Sequence, residues 1–214
     1  MHIPDGYLDI TASISTYALS IIYGLISYSR LKGSLDTDKV SLISILSATI
    51  FAAQMLNWPI PGGTSLHFVG GALAGIILGP YLGFMVISIV LIIQCLIFHD
   101  GGITALGANI LNMAIIDVLV GYTLYRIIIK LFGKRGSTRF IASFIGGWLG
   151  ISLAGLACGL EIGYSPLFPY GILITVPIMT VWHVILGVIE GLITALSISY
   201  IARKEPNLIY AEVM

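Results

Sequence analysis

The chain has 214 residues, of which 57% are hydrophobic and only 9% are charged. Because a soluble domain carries about a quarter charged residues, this composition excludes an ordinary cytosolic enzyme, a nucleic-acid binder with a basic face and a disordered chain. Ten Lys and Arg residues balance ten Asp and Glu residues, so the formal net charge is zero. The class that remains is a membrane protein that crosses the bilayer several times.

Apolar segments recur along the whole chain, most of them near the ~20 residues that a membrane-spanning helix needs. They lack the strict alternation of outer-membrane strands, and most are hydrophobic on all faces. We therefore predict an all-α transmembrane bundle of about seven helices, with residues 1–214 as one domain. The predicted helical segments are 10–28, 41–56, 67–78, 81–98, 109–131, 140–160 and 174–201.

The third segment is short, about 18 Å as a helix, and ends at Gly79-Pro80. It is either a short helix or one half of a re-entrant hairpin with residues 81–98. We reject a single broken helix over 67–98, because that would place the basic clusters of the chain on opposite sides of the membrane.

The basic residues predict the orientation. If the connections that carry them face the cytoplasm, the positive-inside rule holds for all ten, with the N-terminus outside and the C-terminus inside. No Lys or Arg precedes Arg30, so we expect no secretory signal peptide and a mature N-terminus at Met1. The ten are Arg30, Lys32, Lys39, Arg126, Lys130, Lys134, Arg135, Arg139, Arg203 and Lys204.

His2 is the most informative of the four histidines. A histidine at position 2 offers the Met1 amine, its own ionised amide nitrogen and its imidazole Nδ1 in a row, closing a five-membered and a six-membered chelate ring. An imidazole from elsewhere completes a planar N4 set, which favours Ni(II) or Cu(II) over tetrahedral Zn(II), while Co(II) suits the plane less well. The alternative is a mobile terminus, but Pro4 and the Asp5-Gly6 turn favour an ordered segment over residues 1–9.

The loop 57–67 contains two prolines and two glycines and precedes the third segment. We expect Thr64 or Ser65 to cap that helix and His67 to lie in its first turn, where its imidazole is a candidate for the fourth nitrogen. Asp100 is a candidate to orient a histidine by accepting its other N–H. Asn109 and Asn112 share a helix face and support either loop backbone or helix–helix contacts. The candidates around the ligands are Asn57, Thr64, Ser65, His99, Asp100, Asn109 and Asn112.

Asp117 and Glu190 lie within apolar segments, where ionisable groups are rare. We expect them in the interior or the cytoplasmic half, serving helix contacts or coupling in preference to metal capture. Cys95 and Cys158 have no CxxC spacing, and we expect inert buried thiols.

Small residues at helical spacing predict close helix packing. Gly71, Gly75, Gly79 and Gly83 repeat every four residues, and we expect them to pack inside the bundle. Ser44, Ala48 and Ala52 form a similar stripe on the second segment. This second stripe either packs inside the bundle or docks another membrane protein.

Four motifs occur in order along the first half of the chain. They are MHIPDGYL at 1–8, AAQMLN at 52–57, PGGTSxH at 61–67 and DGGxTALGAN at 100–109. With the hydropathy pattern, they resemble the CbiM/NikM family, the substrate-binding (S) components of energy-coupling-factor transporters for cobalt and nickel in prokaryotic cytoplasmic membranes.

The resemblance implies that Met1, His2 and His67 bind the transported Ni²⁺ or Co²⁺ as an N4 set, with no cofactor. It also implies that the Ala48/Ala52 stripe docks a transmembrane coupling protein driven by two ATPase subunits. A small accessory membrane protein is a further implied partner. The Walker motif GxxxxGK[ST] is absent from the sequence, so we expect no enzymatic activity in this chain. We expect the partner subunits to hydrolyse ATP.

Two other functions compete with this interpretation. A stand-alone secondary metal transporter would need no ATPase. An intramembrane hydrolase would use Ser65, Asp100 and either His67 or His183, but no Gly-x-Ser-x-Gly elbow surrounds Ser65. The planar nitrogen geometry favours nickel over cobalt as the transported ion.

Overall fold

The computed structural model describes residues 1–33 and 37–213, except for the side chains of Asp38 and Val213. A π-helical turn, Leu111–Ile116, joins α4 to α5, and a 3₁₀ turn, Pro206–Leu208, precedes α8. Short antiparallel strands β1 (Trp58–Pro59) and β2 (Ser65–Leu66) lie between α2 and α3. The helices are α1 (Ile10–Leu31), α2 (Thr37–Gln54), α3 (Gly71–Phe98), α4 (Leu106–Ile110), α5 (Asp117–Phe132), α6 (Gly136–Tyr164), α7 (Ile172–Lys204) and α8 (Tyr210–Val213).

The predicted all-α transmembrane bundle is confirmed. Within the described parts of the chain, α1, α3, α6 and α7 are the four helices long and apolar enough to cross a membrane. α4, the π turn and α5 together cover the predicted segment 109–131. The strongest packing is between α6 and α7 and between α5 and both α6 and α3, so these helices form the centre of the bundle.

α3 is a hairpin of two helical arms. Gly79 has φ 82° and ψ 174°, which is not helical, and Pro80 follows without a backbone N–H. A Cβ atom placed on Gly83 would lie 3.0 Å from Gly75 Cα, although residues eight apart on a straight helix are about 12 Å apart. The arms 71–78 and 80–98 therefore lie side by side, which confirms the rejection of a single broken helix over 67–98.

The glycines of the first arm let it pack directly on neighbouring backbone. A Cβ on Gly71 would lie 2.7 Å from the Met113 carbonyl oxygen, and one on Gly75 would lie 2.7 Å from that of Val118. Every residue of the arm 71–78 is buried. The predicted internal packing of the glycine repeat is confirmed.

The first arm begins later than predicted. α3 starts at Gly71 after a left-handed Gly70 (φ 78°, ψ 5°), and no side chain caps it locally. Ser65 instead lies in β2, opposite Pro59, and His67 lies in the segment without regular secondary structure between β2 and α3. The predicted cap by Thr64 or Ser65, and the place of His67 in the first helical turn, are wrong because strand pairing keeps the chain extended here.

The bundle has two chemically different ends. At one end, the Asp9 N–H donates to Ser165 Oγ at 3.1 Å, just beyond the C-terminus of α6. At the other end, Arg139 near the start of α6 binds Glu212 of α8 at 2.7 Å. Because α6 has 29 residues, about 43 Å of helix separates the two ends. The N-terminal segment and α8 therefore lie at opposite ends of the bundle.

The small-residue stripe of α2 faces away from the bundle. Leu46, Ile50 and Gln54 are buried on the opposite side of the helix. Ser44, Ala48 and Ala52 are all exposed. Of the two alternatives for this stripe, packing inside the bundle is wrong.

Candidate metal centre

The first residues of the chain fold into one end of the bundle. Met1 and Ile3 are fully buried, and His2 is nearly so. The Ile3 N–H donates to Asn109 Oδ1 at 2.8 Å, and Asn109 Nδ2 donates to the Ile3 carbonyl at 3.2 Å. The Gly102 N–H donates to the same carbonyl at 2.8 Å. These bonds hold the segment as an ordered strap.

Two of the predicted ligand nitrogens meet at one residue of β2. The Met1 amine donates to the Ser65 carbonyl and, at 2.7 Å, to Ser65 Oγ. The His2 N–H donates to the same hydroxyl at 3.1 Å. Ser65 therefore gathers the amine and the amide nitrogen around a single oxygen.

The imidazoles of His2 and His67 are stacked, with ring centroids 4.5 Å apart and planes 19° apart. His67 Nδ1 lies 2.7 Å from the Phe68 carbonyl oxygen, which can only accept, so Nδ1 carries the proton. This leaves the Nε2 lone pair of His67 buried without a hydrogen-bond partner. His2 Nε2 lies 3.7 Å from Asp100 Oδ2, which favours a proton on Nε2 and leaves Nδ1 as the donor atom.

Burial makes these nitrogens neutral at physiological pH. It lowers the pKa of the Met1 amine from 8.0 to about 5. Burial, with the nearby amine as a second cause, holds the pKa values of both His2 and His67 well below the usual range. Unprotonated amine and imidazole nitrogens are the forms that bind metal ions.

The described part of the chain contains no conventional cluster of side-chain metal ligands. Within residues 1–33 and 37–213, no three His, Cys, Asp or Glu side chains are placed to hold one metal ion together. The candidate donor set differs from such clusters because two of its four nitrogens belong to the backbone.

An open cleft of about 500 Å³ leads to His2. Asp5, Asn57, His99 and Asp100 are among the residues that line it. Asn57 Nδ2 lies 3.4 Å from both Asp100 carboxylate oxygens. The carboxylates of the cleft attract cations toward the imidazole.

Three other residues predicted to surround the ligands, Thr64, His99 and Asn112, make different contacts in the structure. Thr64 Oγ1 lies 4.0 Å from Cys158 Sγ and 3.9 Å from Met179 Sδ, beside the strap. His99 is exposed and ends α3 with a left-handed backbone. Asn112 points elsewhere, donating to Glu161 at 2.6 Å.

The atoms of the competing hydrolase are engaged in other bonds. Ser65 Oγ accepts from the Met1 amine and the His2 N–H, and His67 Nδ1 donates to a carbonyl. His183 Nδ1 lies 2.6 Å from the Met179 carbonyl oxygen, inside the bundle.

The thiols of Cys95 and Cys158 are both free and buried, as predicted.

Sequence reasoning assigned no role to Gln54. Its Nε2 donates to the Val69 carbonyl at 2.6 Å and holds the segment that follows His67. A signal was available, because Gln54 lies four residues after Ile50 on the buried face of an apolar helix. An amide in that position needs a hydrogen-bond partner.

Comparison with known proteins identifies the family. The CbiM family model, described as the cobalt uptake substrate-specific transmembrane region, matches residues 2–208. The chain belongs to the CbiM family. It is a multi-pass membrane protein of this nickel and cobalt transport family.

Relatives of the chain align with nearly its whole length. A putative fused nickel transport protein of Archaeoglobus fulgidus is 56% identical over 98% of this chain and 68% of its own length. The cobalt transport protein CbiM of Kyrpidia tusciae is 31% identical over 98% of this chain and 86% of its own length. A crystal structure of a truncated transition metal transporter has a TM-score of 0.89 and 37% identity, covering 95% of this chain and 99% of the other.

Proposed function

We propose that this chain captures a divalent transition-metal ion, nickel in preference to cobalt, and delivers it for uptake as the substrate-binding component of an energy-coupling-factor importer. The observation that carries the proposal is the convergence of nitrogen donors. The Met1 amine and the His2 N–H share Ser65 Oγ, and the two imidazoles are stacked at 4.5 Å.

In the proposed site, the ion binds the Met1 amine, the His2 amide nitrogen, His2 Nδ1 and His67 Nε2. The ion replaces the amide proton of His2, and Ser65 loses the contact that this proton made. Four nitrogens in one plane favour nickel. In the metal-free protein, the Ser65 hydroxyl keeps two of the donors together, which reduces the ordering that capture requires.

The proposed direction of transport follows from the charge distribution. We assign the strap end to the outside and the end with α8 to the cytoplasm, since the basic residues at 126–139 lie toward α8. Asp5 and Asp100 in the cleft then face the side from which the ion arrives. Opening of the strap releases the ion after the coupling partners act.

The proposed partners are a transmembrane coupling protein, two ATPase subunits and a small accessory membrane protein. The exposed stripe of Ser44, Ala48 and Ala52 supplies a smooth helix face for the coupling protein. A stand-alone secondary transporter remains the competing function. Nickel uptake by the purified chain alone in vesicles, without ATP, would support that competitor and contradict this assignment.

The amine is the most specific element of the proposed site, and lengthening the N-terminus tests it. One glycine added before Met1 displaces the amine from a fully buried position. We expect nickel affinity, measured by calorimetry on purified protein, to fall at least 100-fold, with the helical circular dichroism unchanged. The matched control carries the same glycine after the last residue. Unchanged affinity in the N-terminally extended protein, with its N-terminus verified by mass spectrometry, would contradict the N4 site.

A further inference from the structure

Glu190 is a buried carboxylate that binds the backbone just after His67. It lies on α7 and is 1% exposed. Its Oε2 accepts from the Val69 N–H at 2.9 Å, and its Oε1 accepts from the Gly70 N–H at 2.7 Å. A carboxylate inside a membrane bundle is unfavourable unless it is bound in this way. Both of its partners belong to the segment that joins His67 to α3.

The peptide group between Phe68 and Val69 connects this carboxylate to the candidate ligand. Its N–H donates to Glu190, and its carbonyl oxygen accepts from His67 Nδ1 at 2.7 Å. The peptide group is planar, so fixing its N–H also fixes the direction of its carbonyl. Consecutive hydrogen bonds polarise one another in a low-dielectric interior. Carboxylate, peptide and imidazole therefore form one hydrogen-bonded line that ends at the lone pair of His67 Nε2.

The next peptide group is fixed on both sides as well. The Gly70 N–H binds Glu190, and the Val69 carbonyl accepts from Gln54 Nε2 at 2.6 Å. Asp117, the second buried carboxylate, accepts from the Gly71 N–H at 3.0 Å, at the start of α3. Both carboxylates thus serve the N-terminal end of this helix. Only Glu190 binds the peptide group that contacts the imidazole.

We propose that Glu190 is a positioning residue for metal capture. Through the Phe68–Val69 peptide group, it holds His67 with the proton on Nδ1 and Nε2 directed at the ion. A carboxylate commonly orients a metal-binding histidine by direct contact, and here one peptide group lies between them. The sequence placed Glu190 among residues for helix contacts or coupling, whereas this role puts it in the support of the metal site. The inference rests on the proposed function, because it requires His67 to be a ligand.

Glu190→Gln tests the role, with Asp117→Asn as the matched control. Glutamine keeps the size but offers one acceptor oxygen, and its NH₂ group opposes the second N–H. We expect Glu190→Gln to weaken nickel affinity by 10- to 100-fold, the usual effect of removing such a partner. At saturating nickel, its ligand-field spectrum should match that of the parent protein, because the four donors are unchanged. Asp117→Asn replaces the other buried carboxyl group at the same helix end with an amide, and we expect an affinity within about threefold of the parent.

His67→Ala, measured in parallel, separates the two proposals. If His67→Ala leaves nickel affinity unchanged, the proposed function fails. If His67→Ala weakens nickel binding but Glu190→Gln and Asp117→Asn weaken it to the same extent as each other, the carboxylates only support the helix and the role of Glu190 is refuted.

A second measurement on the unaltered protein covers the case in which Glu190→Gln does not fold. In metal-free protein labelled with ¹⁵N, we expect His67 to carry its proton on Nδ1. We also expect the Val69 amide to exchange slowly with solvent. His67 protonated on Nε2, or a freely exchanging Val69 amide, would overturn the proposal.

Discussion

Binding of one nickel ion at pH 7 should release about one proton from this protein. The prediction depends on the Met1 amine, which is fully buried. Burial lowers its pKa from 8.0 to about 5. An amine with the ordinary value would be about 90% protonated at pH 7, but with the lowered value it is about 1% protonated. The imidazoles of His2 and His67 have pKa values well below the usual range, so they are neutral as well.

The only proton left to displace is that of the His2 amide. Release is therefore about one proton per ion, compared with about two if the amine had its ordinary pKa. The pH dependence has a definite sign. Between pH 6 and 8, nickel affinity should rise about tenfold per pH unit, since one proton is exchanged. Below pH 5 the amine also becomes protonated, and the affinity should fall about a hundredfold per unit.

Titration calorimetry in buffers of different ionisation enthalpy measures the number of protons released per nickel ion directly. His67→Ala is the control, because it keeps the amine and the amide and should still release about one proton at reduced affinity. Release of about two protons at pH 7 would show that the amine is charged in the metal-free protein and would refute the effect of burial. No release would mean that the His2 amide keeps its proton, which would refute the chelate.

Two further predictions compare matched pairs of variants. Asn109→Ala leaves the buried Ile3 N–H without a partner, at a cost of about 1–3 kcal/mol, while the Ile3 carbonyl loses one of its two donors and keeps the Gly102 N–H. It should weaken nickel affinity at least tenfold, whereas Asn112→Ala should not, and equal effects in calorimetry would contradict the strap. Gly79 (φ 82°, ψ 174°) and Gly133 (φ 82°, ψ 167°) have the same positive-φ backbone conformation, which strains any other residue. Of the two, only Gly79 would bring a Cβ atom against a side chain, 2.5 Å from the ring of Tyr210. Thermal unfolding should therefore show a larger loss of stability for Gly79→Ala than for Gly133→Ala, and equal losses would contradict the packing of α8 against the hairpin.

Much of the fold could be predicted because membrane segments are encoded locally. Their length and apolar composition locate the helices without knowledge of their neighbours. The positions of the basic residues excluded a single broken helix over 67–98, and the contact between Gly83 and Gly75 confirms that the chain folds back at Gly79-Pro80. The start of the first arm was wrong by four residues, because the pairing of β1 with β2 keeps the chain extended beyond Ser65.

The candidate site could likewise be predicted from the sequence only in part. The chelating order of amine, amide and imidazole is a property of the first two residues alone, so Met1 and His2 could be singled out from the sequence. Asn112 could not be separated from Asn109 by spacing, since both lie on one helix face. The structure directs Asn109 to Ile3 and Asn112 to Glu161, and the helix is interrupted there by a π turn.

A polytopic all-α membrane protein and the separation of its basic residues along the chain could be predicted from the order of residues alone, and so could the candidate nitrogen donors at its start. Each of these is read from neighbouring residues. By contrast, the folded chain alone shows that Ile3 is held by a residue 106 positions away and Val69 by one 121 positions away. Such contacts leave no spacing pattern in the chain, because helix packing sets the distance between their partners. The proposed role of Glu190 is therefore a consequence of how α7 packs beside the start of α3.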